Sequence, residues 1–230
     1  MATILVMSGG APKEVFALLV PQFERESGHK VGFTYAVITA IKDKLAAGEK
    51  ADVLVMPVPV LEGYAKDGKI RGDARVTFGT VGLSMVVRES APKPDISTPD
   101  KLREAMRSAR AIVHATPGQT PSGSHVGKLV EQFGIAPNKV VHRPALDGGV
   151  QLVAKGEAEL GIYPTSEVVN IDGLTVAGAL PKELQLNIVY GAAVTADSAN
   201  AGPAGDLIKF LSDPANRRHW TRAGFDPPGR

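Results

Sequence analysis

The sequence predicts an α/β chain on parallel-type sheets, read as two lobes joined by two crossover strands. Three observations carry this. Short β-branched-rich runs alternate with segments whose apolar residues recur at helical spacing, and this pattern occurs twice along the chain. Two longer strand-like runs, at residues 76–88 and 186–195, separate the two sets. The chain then closes in helices. Strands that alternate with helices are the signature of βαβ units on a parallel sheet. A single doubly wound sheet is the alternative that length by itself permits.

The elements follow in order. Residues 4–7 form a first strand, ended by Ser8-Gly9-Gly10. Val15, Leu18, Leu19 and Phe23 share one helical face, and Gly28 ends that helix. Residues 30–35 form the next strand. Residues 38–47 read as a helix with Ile41 and Leu45 on one side and Gly48 at its end. A buried-type strand at 52–56 is closed by Pro57, and a helix at 60–66 is stopped by Gly68. Beyond the first long run and the proline-rich 91–95, Thr98 caps a helix with Pro99 in its first turn. The second set reads as strand 111–114, helix 124–133, strand 140–142, helix 149–154 and strand 160–163. After the second long run, helices are expected at 203–211 and 214–223. In the two-lobed form, residues 1–82 and 193–230 make the first lobe and 83–192 the second.

Composition excludes several function classes. The 230 residues carry 26 Lys and Arg against 24 Asp and Glu, a formal net charge of +2, with 5% aromatics. That balance argues against nucleic acid or an anionic membrane as the main partner. There are no cysteines, so disulfides, thiolate nucleophiles and cysteine metal sites are excluded. No apolar run approaches the length of a membrane span, and no secretory leader precedes the first strand. The expected location is therefore cytoplasmic, or periplasmic if a leader has been removed ahead of Met1. Histidines do not fall at the spacing of a zinc helix motif, and no phosphate loop, dinucleotide fingerprint or nucleophile elbow occurs. No cofactor or metal is expected.

An ordered set of segments resembles one family. It comprises Ser8-Gly9-Gly10-Ala11; the helix end Pro21-Gln22-Phe23-Glu24-Arg25-Glu26-Ser27-Gly28; Leu45-Ala46-Ala47-Gly48-Glu49 before Ala51-Asp52-Val53; Ala91-Pro92-Lys93-Pro94-Asp95 through Pro99; Ala154-Lys155-Gly156-Glu157-Ala158-Glu159-Leu160-Gly161; and Leu180-Pro181-Lys182-Glu183-Leu184-Gln185. Together these are similar to the molybdate-binding-protein-like branch of the type II periplasmic solute-binding proteins. The resemblance spans nearly the whole chain. It implies a two-lobed clamp, monomeric, that closes on a small anion and serves the membrane component of an ABC transporter. One subgroup of the branch works as an aconitate isomerase.

The resemblance also locates candidate residues. In this fold the ligand is held between the lobes, at loops beyond the carboxyl ends of strands. There, helix N-termini present unpaired N–H groups and a partial positive charge. Ser8, Gly9 and Gly10 form the first such loop, which can equally be an ordinary turn. In the second loop molybdate binders place serines and a glycine. Here stand Ala36, Val37 and Ile38, with Thr39 as the available hydroxyl or a helix cap. The bulk of Val37 and Ile38 points away from a tetrahedral oxyanion and toward an organic ligand. Pro57 marks the third loop, with no N–H to offer. Ser122, Ser124 and His125 mark the fourth, where hydroxyls can donate to a carboxylate and the imidazole can move a proton. Tyr163 occupies a place where the family has a ligand-contacting tyrosine, and Gly149 can add backbone donors.

The expected function is binding of a small anion, an organic carboxylate, for ABC-type uptake. The alternative is an isomerase that moves a proton on an unsaturated polycarboxylate such as aconitate, with His125 and Glu167 as catalytic residues and Tyr163 and Lys42 as further candidates. A third class, a cytoplasmic ligand sensor, would need a DNA-binding module for which no residues are spare.

Overall fold

The computed structural model describes residues 1–228. The chain divides into two compact units, Met1–Val81 with Ile188–Arg230, and Gly82–Asn187. The first begins with β1 (Thr3–Ser8), α1 (Lys13–Ser27), β2 (Lys30–Tyr35), α2 (Ile38–Ala46), β3 (Val53–Pro57), α3 (Val58–Lys66) and β4 (Ile70–Val81). The second holds β5 (Leu83–Arg88), α4 (Pro99–Ser108), β6 (Ile112–His114), α5 (Pro121–Gln132), β7 (Val140–His142), α6 (Gly149–Ala154), β8 (Leu160–Pro164) and β9 (Leu174–Ala179). The chain returns to the first with β10 (Ile188–Thr195), α7 (Ala201–Ser212), α8 (Arg217–Arg222) and β11 (Phe225–Asp226).

Each unit has one sheet, ordered β11-β4-β10-β3-β1-β2 in the first and β7-β6-β8-β5-β9 in the second. Both are mixed rather than purely of parallel type. β1, β2 and β3 run parallel, as do β6, β7 and β8. The strands next to the points where the chain changes unit pair antiparallel: β10 with β3 and β4, and β5 with β8 and β9. The return to the first unit falls at Ile188 rather than near 193, because β10 is paired with β4 from its first residue.

The first long run is two strands. β4 starts earlier than the apolar pattern suggests, at Ile70, and ends at Val81. Gly82 separates it from β5. A Cβ there would lie 3.1 Å from the Gln185 amide. That amide accepts from the Leu83 N–H at 2.7 Å and donates to the Leu83 carbonyl at 3.0 Å. One side chain thus holds the outgoing and returning segments together. β9 has no counterpart among the expected strands. Its sequence is small and half-buried, and it gains strand form only by adding to the edge of β5. Thr98 caps α4 as expected, accepting from the Lys101 N–H at 3.3 Å.

The core of the first unit is aromatic around the C-terminal helices. Trp220 stacks on Phe78 at 4.4 Å and meets Phe16 and Phe225 edge-on at 5.9 and 5.1 Å. Its indole N–H donates to the Leu211 carbonyl at 2.9 Å. Asp52 ties the same segment to the start of the sheet, accepting from the Leu5 N–H, the Ser198 hydroxyl and the Asn200 amide at 2.8, 2.6 and 3.2 Å. In the second unit Val86, Val113, Val150, Val153, Ala158, Tyr163 and Val168 form a core cluster.

Candidate functional site

In the first unit β1 ends at Ser8, and the turn Gly9-Gly10-Ala11 leads into α1. Ser8 is fully buried and its hydroxyl donates to the Gly9 carbonyl at 2.8 Å. The Gly9 N–H is not open to a ligand, because it continues the sheet ladder to the Val55 carbonyl at 3.1 Å. Gly9 is instead needed for lack of a side chain: a Cβ there would sit 3.2 Å from both the Ile38 Cδ1 and the Tyr190 hydroxyl. The N-cap of α1 is Pro12, whose side chain cannot accept a hydrogen bond, so the first turn of α1 lacks a side-chain cap. That leaves a partial positive charge at the end of the Ser8–Ala11 loop.

α2 begins at Ile38 with Val37 as N-cap and again without a side-chain cap, so Thr39 lies inside the first turn and caps nothing. Ile38 is 6% exposed and packs into a core cluster with Met7, Ile41 and Leu54. Pro57 is the N-cap of α3 and is buried. Lys42 does not join these residues. It lines a cavity of about 340 Å³ with Ala51, Lys69 and Thr195, at the edge of the sheet opposite to Ser8 and Pro57.

In the second unit the loop after β6 runs into α5 through Thr120, which caps the helix by accepting from the Gly123 N–H at 3.0 Å. Ser122 is 5% exposed and shares a hydrogen bond with the Thr120 hydroxyl at 3.1 Å. The Ser124 hydroxyl accepts from the Gly118 N–H at 3.0 Å, which fixes the loop and leaves its own proton free to donate. His125 is half-buried and its Nε2–H donates to the Leu184 carbonyl at 2.7 Å. That bond makes His125 a fastener between α5 and the 182–184 turn.

Tyr163 and Gly149 also take structural places. Tyr163 is fully buried and its hydroxyl donates to the Arg143 carbonyl at 2.8 Å. Burial holds the phenol protonated, with the Glu167 charge adding to that effect. The Gly149 N–H is used, donating to the Pro144 carbonyl at 2.9 Å. A Cβ on Gly149 would lie 2.2 Å from the Tyr163 hydroxyl and 2.3 Å from the Arg143 carbonyl oxygen. The Tyr163 hydroxyl therefore depends on the missing side chain at Gly149.

Glu167 differs from its neighbours. It lies in the turn Thr165–Glu167 directly beyond β8 and is half-buried. Its carboxyl has no hydrogen-bond or ion-pair partner among the described residues. Desolvation pushes it up to about 7 from an ordinary 4.5, so near neutral pH it is divided between acid and base. Beside it the Ser166 hydroxyl is 1% exposed and unpartnered. At the end of β6, His114 is fully buried. Its Nδ1–H donates to the Ala115 carbonyl at 2.8 Å, leaving Nε2 unpartnered. Burial and the facing His142 bring it down to about 4, so it is neutral at pH 7.

Residues 4–226 match the model of the bacterial extracellular solute-binding proteins. The chain belongs to that family. It is 26% identical over 238 positions to an aconitate isomerase from Pseudomonas sp, covering 99% of this chain and 88% of that one. It is 24% identical over 213 positions to the molybdate-binding protein ModA of Escherichia coli strain K12, covering 90% and 82%. Among solved structures the periplasmic molybdate-binding protein of Azotobacter vinelandii superposes with a TM-score of 0.82 at 18% identity, covering 98% of this chain and all of that one. The type II periplasmic-binding fold is therefore established for this family member. No helix among its described residues is long and apolar enough to cross a membrane.

Two residues at these sites escaped the sequence reading. Tyr190 is hidden in a long apolar strand, and only the pairing of β10 with β3 brings it opposite Pro57 and against Gly9. Arg143 follows a three-residue exposed strand, and nothing in the linear pattern separates it from a surface arginine.

Proposed function

We propose that this solute-binding protein holds a small organic polycarboxylate in the periplasm and presents it to the membrane component of an ABC transporter. The observation that carries the organic-anion reading is Val37. Where a tetrahedral oxyanion binder needs hydroxyl donors, the start of α2 has the half-buried Val37, with Ile38 packed into the core behind it. A ligand there must offer some apolar surface along with its charge. In the first unit the uncapped start of α1 offers N–H donors to a carboxylate.

Glu167 favours a second reading, isomerisation of an unsaturated polycarboxylate. As the carboxylate it removes a proton from the methylene carbon next to a carbon–carbon double bond. The double bond shifts by one position, and the carboxyl returns the proton to the far carbon, so no other reactant is consumed. A group divided between acid and base near neutrality suits both half-steps. The aconitate isomerase likeness supports the same chemistry. His125 is less suited, with its Nε2–H committed to Leu184.

A thermal-shift panel of citrate, cis- and trans-aconitate, molybdate, tungstate, sulfate and phosphate tests the binding reading. A ligand at about 100 times its Kd adds roughly 2.7 kcal/mol, a rise on the order of 5–10 °C for a chain of this size. Such a rise with a carboxylate is expected. A rise with molybdate or tungstate alone overturns the organic-anion reading. Proton NMR of cis-aconitate with the protein separates a binder, which leaves the spectrum unchanged, from an isomerase.

A further inference from the structure

We infer that Arg143 is a carboxylate anchor on the carboxyl edge of the second unit's sheet and sets the protein's preference for organic acids over tetrahedral oxyanions; this rests on the organic-anion reading above. Arg143 stands immediately after β7, at the edge of the second unit's sheet where the parallel strands β6, β7 and β8 all end. That carboxyl edge is where open α/β sheets present ligand-binding groups. The same edge carries Thr165–Glu167 beyond β8.

The backbone of Arg143 is fixed from three sides. Its N–H donates to the His114 carbonyl at 2.8 Å, and its own carbonyl accepts from the Tyr163 hydroxyl at 2.8 Å. Gly149 is close enough that an added Cβ would reach that carbonyl at 2.3 Å. The residue itself is exposed. Two hydrogen bonds thus fix the backbone of a residue that is itself exposed, and Gly149 leaves room for one of them.

The charge on Arg143 is uncommitted. It takes part in none of the ion pairs among the described residues, whereas Arg110 is matched with Glu159 and Arg103 with Asp100. Other surface arginines are also unpaired; Arg143 differs in standing on the same edge as Glu167. The Tyr163 phenol lies within the field of both charges. The Glu167 carboxyl forms no ion pair with Arg143 among the described residues, and burial alone raises it. A planar fork of donors on the same sheet edge as an unpaired carboxyl suits a substrate that brings its own carboxylate and an adjacent acidic C–H. The fork matches a carboxylate in two parallel hydrogen bonds, which a lysine cannot reproduce.

The test compares wild type, Arg143→Gln and Arg143→Lys by calorimetric titration with trans-aconitate, citrate and molybdate. Because the side chain is exposed, both variants are expected to keep the ligand-free Tm. The Gln variant is expected to lose roughly 10- to 100-fold in carboxylate affinity, as for removal of a charged hydrogen bond. The Lys variant should be intermediate, and any molybdate response unchanged. Carboxylate binding by wild type and by Arg143→Gln within about threefold of each other, on the scale of ordinary surface substitutions, overturns the inference and leaves the organic-anion reading standing. Equal loss for molybdate and carboxylate overturns the assignment of specificity. Absence of carboxylate binding by wild type shows the underlying reading itself to be wrong.

Discussion

Glu167→Gln should stabilise the protein, and only above a defined pH. Burial raises the Glu167 carboxyl from 4.5 to about 7, so the folded chain holds this proton more tightly than the unfolded chain. The stability associated with the protonated carboxyl is complete below about pH 4.5 and is lost as the pH rises through about 7. Each tenfold change in proton affinity is worth about 1.4 kcal/mol, so ionisation costs the native state roughly 3 kcal/mol at pH 8. Glutamine keeps the shape and is neutral throughout. Urea unfolding from pH 4 to 9 should therefore give coincident midpoints for wild type and variant at the acid end. The curves should separate between about pH 5 and 7 and end about 3 kcal/mol apart. A difference that is constant with pH, or a variant less stable at pH 8, would refute the argument that Glu167 is desolvated without a compensating partner. The same group would then lose its claim as a proton-transfer residue, since that claim depends on the raised carboxyl.

Other substitutions test the scaffold that holds the sites. Trp220→Ala removes a buried ring stacked on Phe78 and should cost about 3–5 kcal/mol in chemical denaturation. Asp52→Ala leaves the Leu5 N–H, Ser198 and Asn200 without their shared acceptor, and a loss of roughly 2–4 kcal/mol is expected by the same assay. Gly149→Ala drives a methyl into the Tyr163 hydroxyl and the Arg143 carbonyl, with an expected loss of at least about 2 kcal/mol. Adding Tyr163→Phe should recover part of it and no more, because the Arg143 carbonyl remains in the way; full recovery would mean that the hydroxyl is the sole obstacle.

The alternation of apolar runs with helical periodicity made the α/β class and most elements legible from sequence. That signal is local: a buried strand and an amphipathic helix each write their burial pattern into adjacent residues. Gly28 and Thr98 were legible for the same reason, since a helix end needs a left-handed residue or a hydroxyl at a fixed place. The loops at the ends of β1 and β6 were visible as clusters of small and hydroxyl residues. What those residues do was not visible. Whether the Gly9 N–H faces a ligand or the Val55 carbonyl depends on β3 lying beside β1. That the Tyr163 hydroxyl donates to the Arg143 carbonyl, 20 positions away, is not visible in the linear chain. The antiparallel strands at the unit changes were missed because pairing direction is decided by where the chain returns, which no window of sequence contains. The burial of Glu167 is likewise a property of neighbours distant in sequence: the linear chain marks it as a candidate carboxylate after a strand, and only the fold raises its proton affinity. The chain by itself determines which segments are strand or helix and where small, polar loops fall. Only the tertiary structure decides which hydrogen-bonding groups those loops have left to offer, because donors and acceptors are consumed by partners that sequence distance does not reveal.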